Sequence, residues 1–286
     1  MYDIIDGKQL AADMRADLKI KVEAFKNTHG REIGLAVVLV GSDPASQVYV
    51  RNKIKACEEV GVKSLAYYLP AETTQTQLEE LIASLASDKA VDGILVQLPL
   101  PRHLDSSAAL KLIPTEKDVD GFSEENIGRL AMNAECLVAC TPNGVMKMLV
   151  SKNVEIRGKK AVVVGRSNIV GRPMALLLLN ADATVTVCHS RTADLKKECS
   201  EADILVAAIG KPKFITADMV KDGAVVVDVG MNRDENGKLC GDVDFEAVEP
   251  LASYITPVPG GVGPMTVAML MRNTVTAAKL QNGLGI

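Results

Sequence analysis

Short runs of branched apolar residues alternate with stretches of helical period along most of the chain. Ile33–Val40 (IGLAVVLV), Ser64–Leu69, Val91–Leu98, Lys160–Val164 (KAVVV), Thr184–Cys188, Ala202–Ala208 and Ala224–Val229 (AVVVDV) read as strands. Between them, Ser46–Val60, Thr74–Ala86 and Gly171–Leu179 carry helical spacing. Strands that are apolar on both faces and joined by helices build a parallel sheet covered on both sides. The expected fold class is therefore α/β. The pattern weakens between Gly121 and Pro142, where polar residues gather, so two α/β domains are expected with a linker there. A C-terminal helix over Met265–Leu280 is expected to pack back on the first domain.

At 286 residues the chain has room for roughly two domains. A net charge of −4 argues against chain-wide attraction to nucleic acid, which needs clustered positive charge. Only 3% of residues are aromatic and none is Trp, so stacking platforms for bases are scarce. No apolar run is long enough for a membrane span, and acids stand near the N-terminus where a secretory leader carries Lys or Arg. Six cysteines at 57, 136, 140, 188, 199 and 240 form no C-x-x-C pair. With three histidines, they are expected to be core or surface residues of a reducing compartment, with no metal.

Lys160-Ala-Val-Val-Val-Gly165-Arg-Ser-Asn-Ile-Val-Gly171-Arg-Pro173 follows a strand and opens a helix. Glycine lets the backbone turn tightly there and leaves the free N–H groups of the next helix facing a ligand phosphate. The spacing is not G-x-G-x-x-G, so a tight turn and a nucleotide site both remain open. Some 20 residues on, the next strand ends in Cys188-His189-Ser190-Arg191. An acid at such a place contacts a ribose 2′-hydroxyl, whereas a basic group accommodates a 2′-phosphate. Ser190, Arg191 and Arg166 favour NADP over NAD, the alternative being exposed arginines on a surface loop.

Tyr49 and Lys53 stand four apart on a helix and share a face. A lysine packed beside a ring and partly desolvated exchanges protons near neutral pH, although the same spacing describes an ordinary surface pair. Val96-Gln97-Leu98 puts an amide at the carboxyl end of a buried strand, where open sheets bind ligands. Asp118 and Asp120 share a turn, either to bind a heterocycle with adjacent N–H donors or to form an Asx turn. Thr256–Thr266 (TPVPGGVGPMT) is a stiff, glycine-dense loop that allows close backbone approach to a flat ligand or serves only as a connection.

Taken together, SQVYVRNKIKACEEVGV, DGILVQLPLP, KDVDGF with NIGRL, CTPNGV, VVVGRSNIVGRP, VVVDVGMNR, GDVDF and YITPVPGGVGPMTVAML resemble the bifunctional methylenetetrahydrofolate dehydrogenase/cyclohydrolase family. The resemblance spans about Gly41 to Met271, and Met231 stands where the family pattern has Ile. It implies a folate-binding catalytic domain (1–121 plus 265–286), a Rossmann-like NADP-binding domain (140–264), a linker (122–139) and a cleft between the domains. It also implies two reactions: NADP-dependent oxidation of 5,10-methylenetetrahydrofolate to 5,10-methenyltetrahydrofolate, then hydrolysis to 10-formyltetrahydrofolate. Lys53 would handle the proton of the second step, Tyr49 would orient it against the folate, and Gln97 would hydrogen-bond it. Asp120 would bind the pterin, with Val96, Leu98, Pro257, Gly260 and Gly261 lining the folate site. Gly165, Arg166, Ser167, Ser190, Arg191 and Met231 would hold the cofactor. A homodimer in the cytoplasm is implied as well. A related dehydrogenase for another small acid and a nucleotide-binding scaffold are the competing readings.

Overall fold

The computed structural model describes residues 3–284. Among them run eleven strands: β1 (Asp3–Ile4), β2 (Gly34–Val40), β3 (Lys63–Leu69), β4 (Gly93–Val96), β5 (Lys160–Val164), β6 (Thr184–Cys188), β7 (Ile204–Ala207), β8 (Val225–Asp228), β9 (Asn232–Arg233), β10 (Leu239–Cys240) and β11 (Tyr254–Ile255). The chain divides into two compact units. One gathers the residues up to Ala11 with Thr141–Thr266, and the other gathers Ala12–Cys140 with the residues from Val267 on.

In the second of these units, β2 lies between β3 and β4, and both pairings are parallel. All seven residues of β2 are buried. Side chains alternate across a strand, so Leu35, Val37 and Leu39 enter one core with Leu18, Val22, Phe25, Met269 and Leu270. Ala36, Val38 and Val40 enter another with Leu78, Ile82 and Leu85. Each fully buried large side chain contributes about 1.5–3 kcal/mol. Met269, Leu270, Met271 and Val275 come from the helix Val262–Gln281, so the C-terminal helix does pack on this sheet. The helix Gln75–Ser87 starts with a capping box, in which the Gln77 N–H donates to Thr74 Oγ1 and the Thr74 N–H to Gln77 Oε1.

The other unit holds a six-stranded sheet in the order β1-β11-β8-β7-β5-β6, parallel at every pairing. Val162, Val164, Leu205, Ala207, Val226 and Ile255 form its core. The chain steps from β5 out to β6 on one side and back to β7 on the other. The carboxyl end of β5 is therefore the switch point at which open parallel sheets take ligands.

Two boundaries differ from the sequence reading. The first residues join the larger sheet rather than the folate-binding segment, because Asp3 N–H donates to the Ser253 carbonyl, Ile5 N–H to Ile255 and Lys8 N–H to Gly260. Residues 122–139 are not a free linker: they carry the helix Glu124–Ala131, capped by Ser123, and are built into the smaller sheet's unit. Asn126 anchors them by donating to the Thr115 carbonyl and the Asp118 carboxylate and accepting from the Leu137 N–H.

Candidate active site

Lys53 sits on the helix Pro44–Val60, which Asp43 caps by accepting the Ser46 N–H at 2.8 Å. Its Nζ donates to Gln97 Oε1 at 2.9 Å. Gln97 follows β4 directly, with its backbone N–H tied to the Val38 carbonyl at 2.8 Å. Its Nε2 donates to the Leu98 carbonyl at 2.6 Å, which turns Oε1 toward the lysine. A helix and the end of a parallel strand thus bring together two residues 44 apart in sequence. Tyr49 lies one turn before Lys53 and is 39% exposed, with burial of the rest raising its phenol pKa. Leu98 is half-buried beside Gln97. Val96 is 2% exposed and its side chain belongs to the core with Leu78 and Ile82.

The two acids of the following turn have separate tasks. Asp118 accepts from the N–H groups of Gly121 and Ser123 and from Asn126 Nδ2, so it is the Asx-type fastener of the turn. Burial pushes the Asp120 carboxyl up to about 6; the Lys53 ammonium pulls against this and Asp118 adds to it. Asp120 is thus electrostatically coupled to Lys53, and the four residues Tyr49, Lys53, Gln97 and Asp120 belong to one unit. Gly121 has φ +70°, and a Cβ there would press on the backbone of Val138 and Ala139, so glycine is required. Sequence reading passed over Asn273. Its Nδ2 donates to the carbonyls of Val119 at 2.9 Å and Val138 at 2.8 Å, fixing the turn that carries Asp120.

The remaining expected residues belong to the six-stranded unit. Gly165 follows β5 with φ +126°, and a Cβ there would overlap the Ala208 carbonyl oxygen. A Cβ on Gly171 would overlap the Gly165 carbonyl oxygen. The glycine pair therefore marks a cradle in which backbone passes against backbone at the start of the helix Gly171–Asn180. Ser167 Oγ accepts from the N–H groups of Val170 and Gly171 there. Arg166, Ser167, Ser190 and Arg191 are all exposed around the ends of β5 and β6. The 189–192 loop is held by its backbone: His189 N–H donates to Thr192 Oγ1 and Arg191 N–H to His189 Nδ1. The cradle, the helix start and the exposed guanidiniums fit a dinucleotide bearing a 2′-phosphate.

Met231 follows β8 and is 44% exposed. Pro257, Gly260 and Gly261 lie in the loop after β11, where a Cβ on Gly261 would meet the Pro257 carbonyl oxygen at 2.5 Å. Sequence reading also missed the buried acids Asp228 and Asp242, 3% and 0% exposed. Asp228 ends β8 and Asp242 stands two residues after β10, of the separate β10-β9 pair; the signal was a glycine within two residues of each, Gly230 and Gly241. Among the described residues no three His, Cys, Asp or Glu gather as a metal-binding group, and no helix is long and apolar enough to cross a membrane.

Comparison with known proteins finds two domains, with bounds that follow the sequence rather than the exchange of the first residues and the last helix between the two units. Residues 5–120 match the tetrahydrofolate dehydrogenase/cyclohydrolase catalytic domain, and residues 139–282 match the tetrahydrofolate dehydrogenase/cyclohydrolase NAD(P)-binding domain. The chain is 58% identical to the bifunctional protein FolD of Moorella thermoacetica, over 96% of this chain and 98% of that one. The crystal structure of the bifunctional FolD dehydrogenase/cyclohydrolase of Campylobacter jejuni superposes with a TM-score of 0.96 at 52% identity, covering 98% of this chain and all of that one. The FolD of Trypanosoma brucei, solved with NADP cofactor and inhibitor, gives 0.94 at 41% identity over 98% of each chain. The chain belongs to the tetrahydrofolate dehydrogenase/cyclohydrolase family.

Proposed function

We propose that both reactions of the family run on the residues described above, with Lys53 as the proton-handling group of the hydrolytic one. The chain is a methylenetetrahydrofolate dehydrogenase and methenyltetrahydrofolate cyclohydrolase, and NADP is its cofactor. In the first reaction a hydride leaves a carbon flanked by two nitrogens, and the resulting cation is delocalised. NADP+, when bound, supplies the acceptor for that hydride. Gly165, Arg166, Ser167, Ser190, Arg191 and Met231 bind and orient it, and orientation supplies most of the gain in such a transfer.

In the second reaction water adds to the methenyl carbon and the ring opens to the 10-formyl product. The attacking water gives up both its protons as the C–O bond forms and the bond to the ring nitrogen breaks: one ends on that nitrogen and the other is released, because the substrate is a cation and the product is not. Lys53 Nζ moves the proton bound for the nitrogen, Gln97 Oε1 fixes the amine's direction, and Tyr49 packs against the folate. Asp120 accepts from the pterin N–H donors, and Val96 and Leu98 line the folate site on the same unit; on the six-stranded unit, Pro257, Gly260 and Gly261 are the folate-contacting residues. The observation that carries this reading is the 2.9 Å Lys53–Gln97 hydrogen bond beside a carboxyl whose pKa is coupled to the same ammonium. A nucleotide-binding scaffold leaves that arrangement without a task.

A coupled assay with methylenetetrahydrofolate and NADP+ tests the function, following reduced cofactor and the methenyl compound at separate wavelengths. Both signals are expected, the second rising and then decaying. NADPH formation without decay of the methenyl compound would leave a dehydrogenase alone. A homodimer and a cytoplasmic location complete the proposal, and sedimentation equilibrium at micromolar concentration tests the first.

A further inference from the structure

The buried acids Asp228 and Asp242 form a relay between loops at the carboxyl edge of the six-stranded sheet. Asp228, the last residue of β8, accepts the N–H groups of Gly230 at 2.9 Å, Asp242 at 2.9 Å and Val243 at 2.8 Å. Asp242 accepts three consecutive N–H groups of the loop after β7: Ile209 at 2.7 Å, Gly210 at 3.0 Å and Lys211 at 2.8 Å. It also accepts Asn232 Nδ2 at 2.8 Å. The contact is close enough that a Cβ on Gly230 would overlap the Asp242 carboxylate, and one on Gly241 the Asp228 carboxylate.

In a trans peptide the carbonyl points opposite to the next N–H. Tying three N–H groups to one carboxylate therefore turns the carbonyls of Ala208, Ile209 and Gly210 away from it. The first of these lies against Gly165, on the cradle after β5. The strand order adds direction. Ser190 and Arg191 follow β6 on one flank of β5, while β7 and β8 lie on the other. A dinucleotide whose 2′-phosphate end lies beside β6 and whose pyrophosphate crosses the glycine turn extends its nicotinamide half toward the ends of β7 and β8.

We propose that Asp242 is a positioning residue for the nicotinamide half of the dinucleotide, acting by fastening the loops after β7 and β8. This rests on the NADP-dependent function proposed above. An Asp242→Asn variant of the full chain replaces one acceptor oxygen by a donor facing backbone N–H groups. Its Kd for NADP+, read by calorimetric titration, rises about 10- to 100-fold. Its Kd for adenosine 2′,5′-bisphosphate, which lacks the nicotinamide half, stays within about twofold, a split that general loosening of the unit does not produce. Amide hydrogen exchange accelerates at Ile209–Lys211 while β5 and β6 remain protected. An unchanged Kd for NADP+, or equal weakening of both ligands, overturns the proposal. If Asp242→Asn does not fold, Asn232→Ala removes a single donor and carries the same titrations, with a several-fold rise for NADP+ alone expected and no rise overturning. If the wild-type chain binds adenosine 2′,5′-bisphosphate and NADP+ equally well, no nicotinamide contact exists to be positioned and the proposal also falls. Dehydrogenase turnover by the wild type is scored separately, and its absence refutes the functional reading.

Discussion

Lys53 Nζ donates to Gln97 Oε1 at 2.9 Å, and the same side chain's Nε2 is spent on the Leu98 carbonyl. The acceptor is therefore locked toward the lysine rather than free to rotate. A Lys53→Met change keeps the apolar stem and removes the amine. Its methenyl hydrolysis should fall at least about 100-fold, the usual span of general acid–base catalysis. The Kd for NADP+ should stay within about twofold, since Lys53 belongs to the other unit from the glycine cradle. Decay of methenyltetrahydrofolate absorbance in stopped flow reads the first quantity and calorimetry the second. Hydrolysis at the wild-type rate would remove Lys53 from the mechanism.

Gln97 acts through Lys53, so its loss should be milder. Gln97→Leu deletes the acceptor and leaves the amine in place. Removing a hydrogen bond to a charged or polar partner is worth about 1.5 kcal/mol, roughly tenfold in rate. The kcat of the cyclohydrolase step should fall about tenfold, and Gln97→Glu, which keeps an acceptor oxygen on that side, should recover part of it. Equal loss in both variants would show that the amide does more than hold the amine.

Asp120 connects the site to pH. Its carboxyl is raised from 3.8 to about 6 by burial, so the fold favours the protonated form. That contribution is fully present below about pH 4 and is lost as pH rises through about 6, up to about 3 kcal/mol in all. Asp228 is raised to about 6 by burial as well, so the wild-type curve alone mixes the two. The difference between Asp120→Asn and wild type isolates Asp120. Urea unfolding should show the variant gaining on wild type between pH 4 and 7. A difference that is flat across that window would mean that the carboxylate is not desolvated.

What could be read beforehand follows from where each signal lives. The buried strands β2, β5 and β8 announce themselves because burial on both faces demands an unbroken apolar run, visible in one window of sequence. β1 has two residues and exists only because Tyr254 and Ile255 offer it a partner 251 residues away, which no local pattern encodes. Tyr49 and Lys53 were legible as one face of a helix, but Gln97 joins them only through the pairing of β4 with β2. Asp118 and Asp120 are identical residues two apart. Their division of labour comes from the donors Gly121, Ser123 and Asn126 converging on the first. Asp242 lay in no hydrophobic period at all, and its meaning appears only when three N–H groups from another loop close on it.

The choice of cofactor depends on the end of β6. His189 and Thr192 hold the 189–192 loop through backbone donors, at 2.9 Å for the His189 N–H and 3.1 Å for the Arg191 N–H. The Arg191 side chain contributes nothing to that fastening and stays exposed. Arg191→Ala should therefore leave the loop intact and remove a guanidinium from the 2′-phosphate. A charge-assisted hydrogen bond is worth about 1.5–3 kcal/mol, so the Kd for NADP+ should rise about 10- to 100-fold. The Kd for NAD+, which carries a hydroxyl there, should remain within about twofold. The loss for NADP+ should shrink as salt is raised, because a partly exposed ion pair is screened. If the ratio of the two Kd values does not move, Arg191 does not read the phosphate. Arg166, on the glycine turn, is then the guanidinium to remove next, and it should carry the selectivity in the same titration.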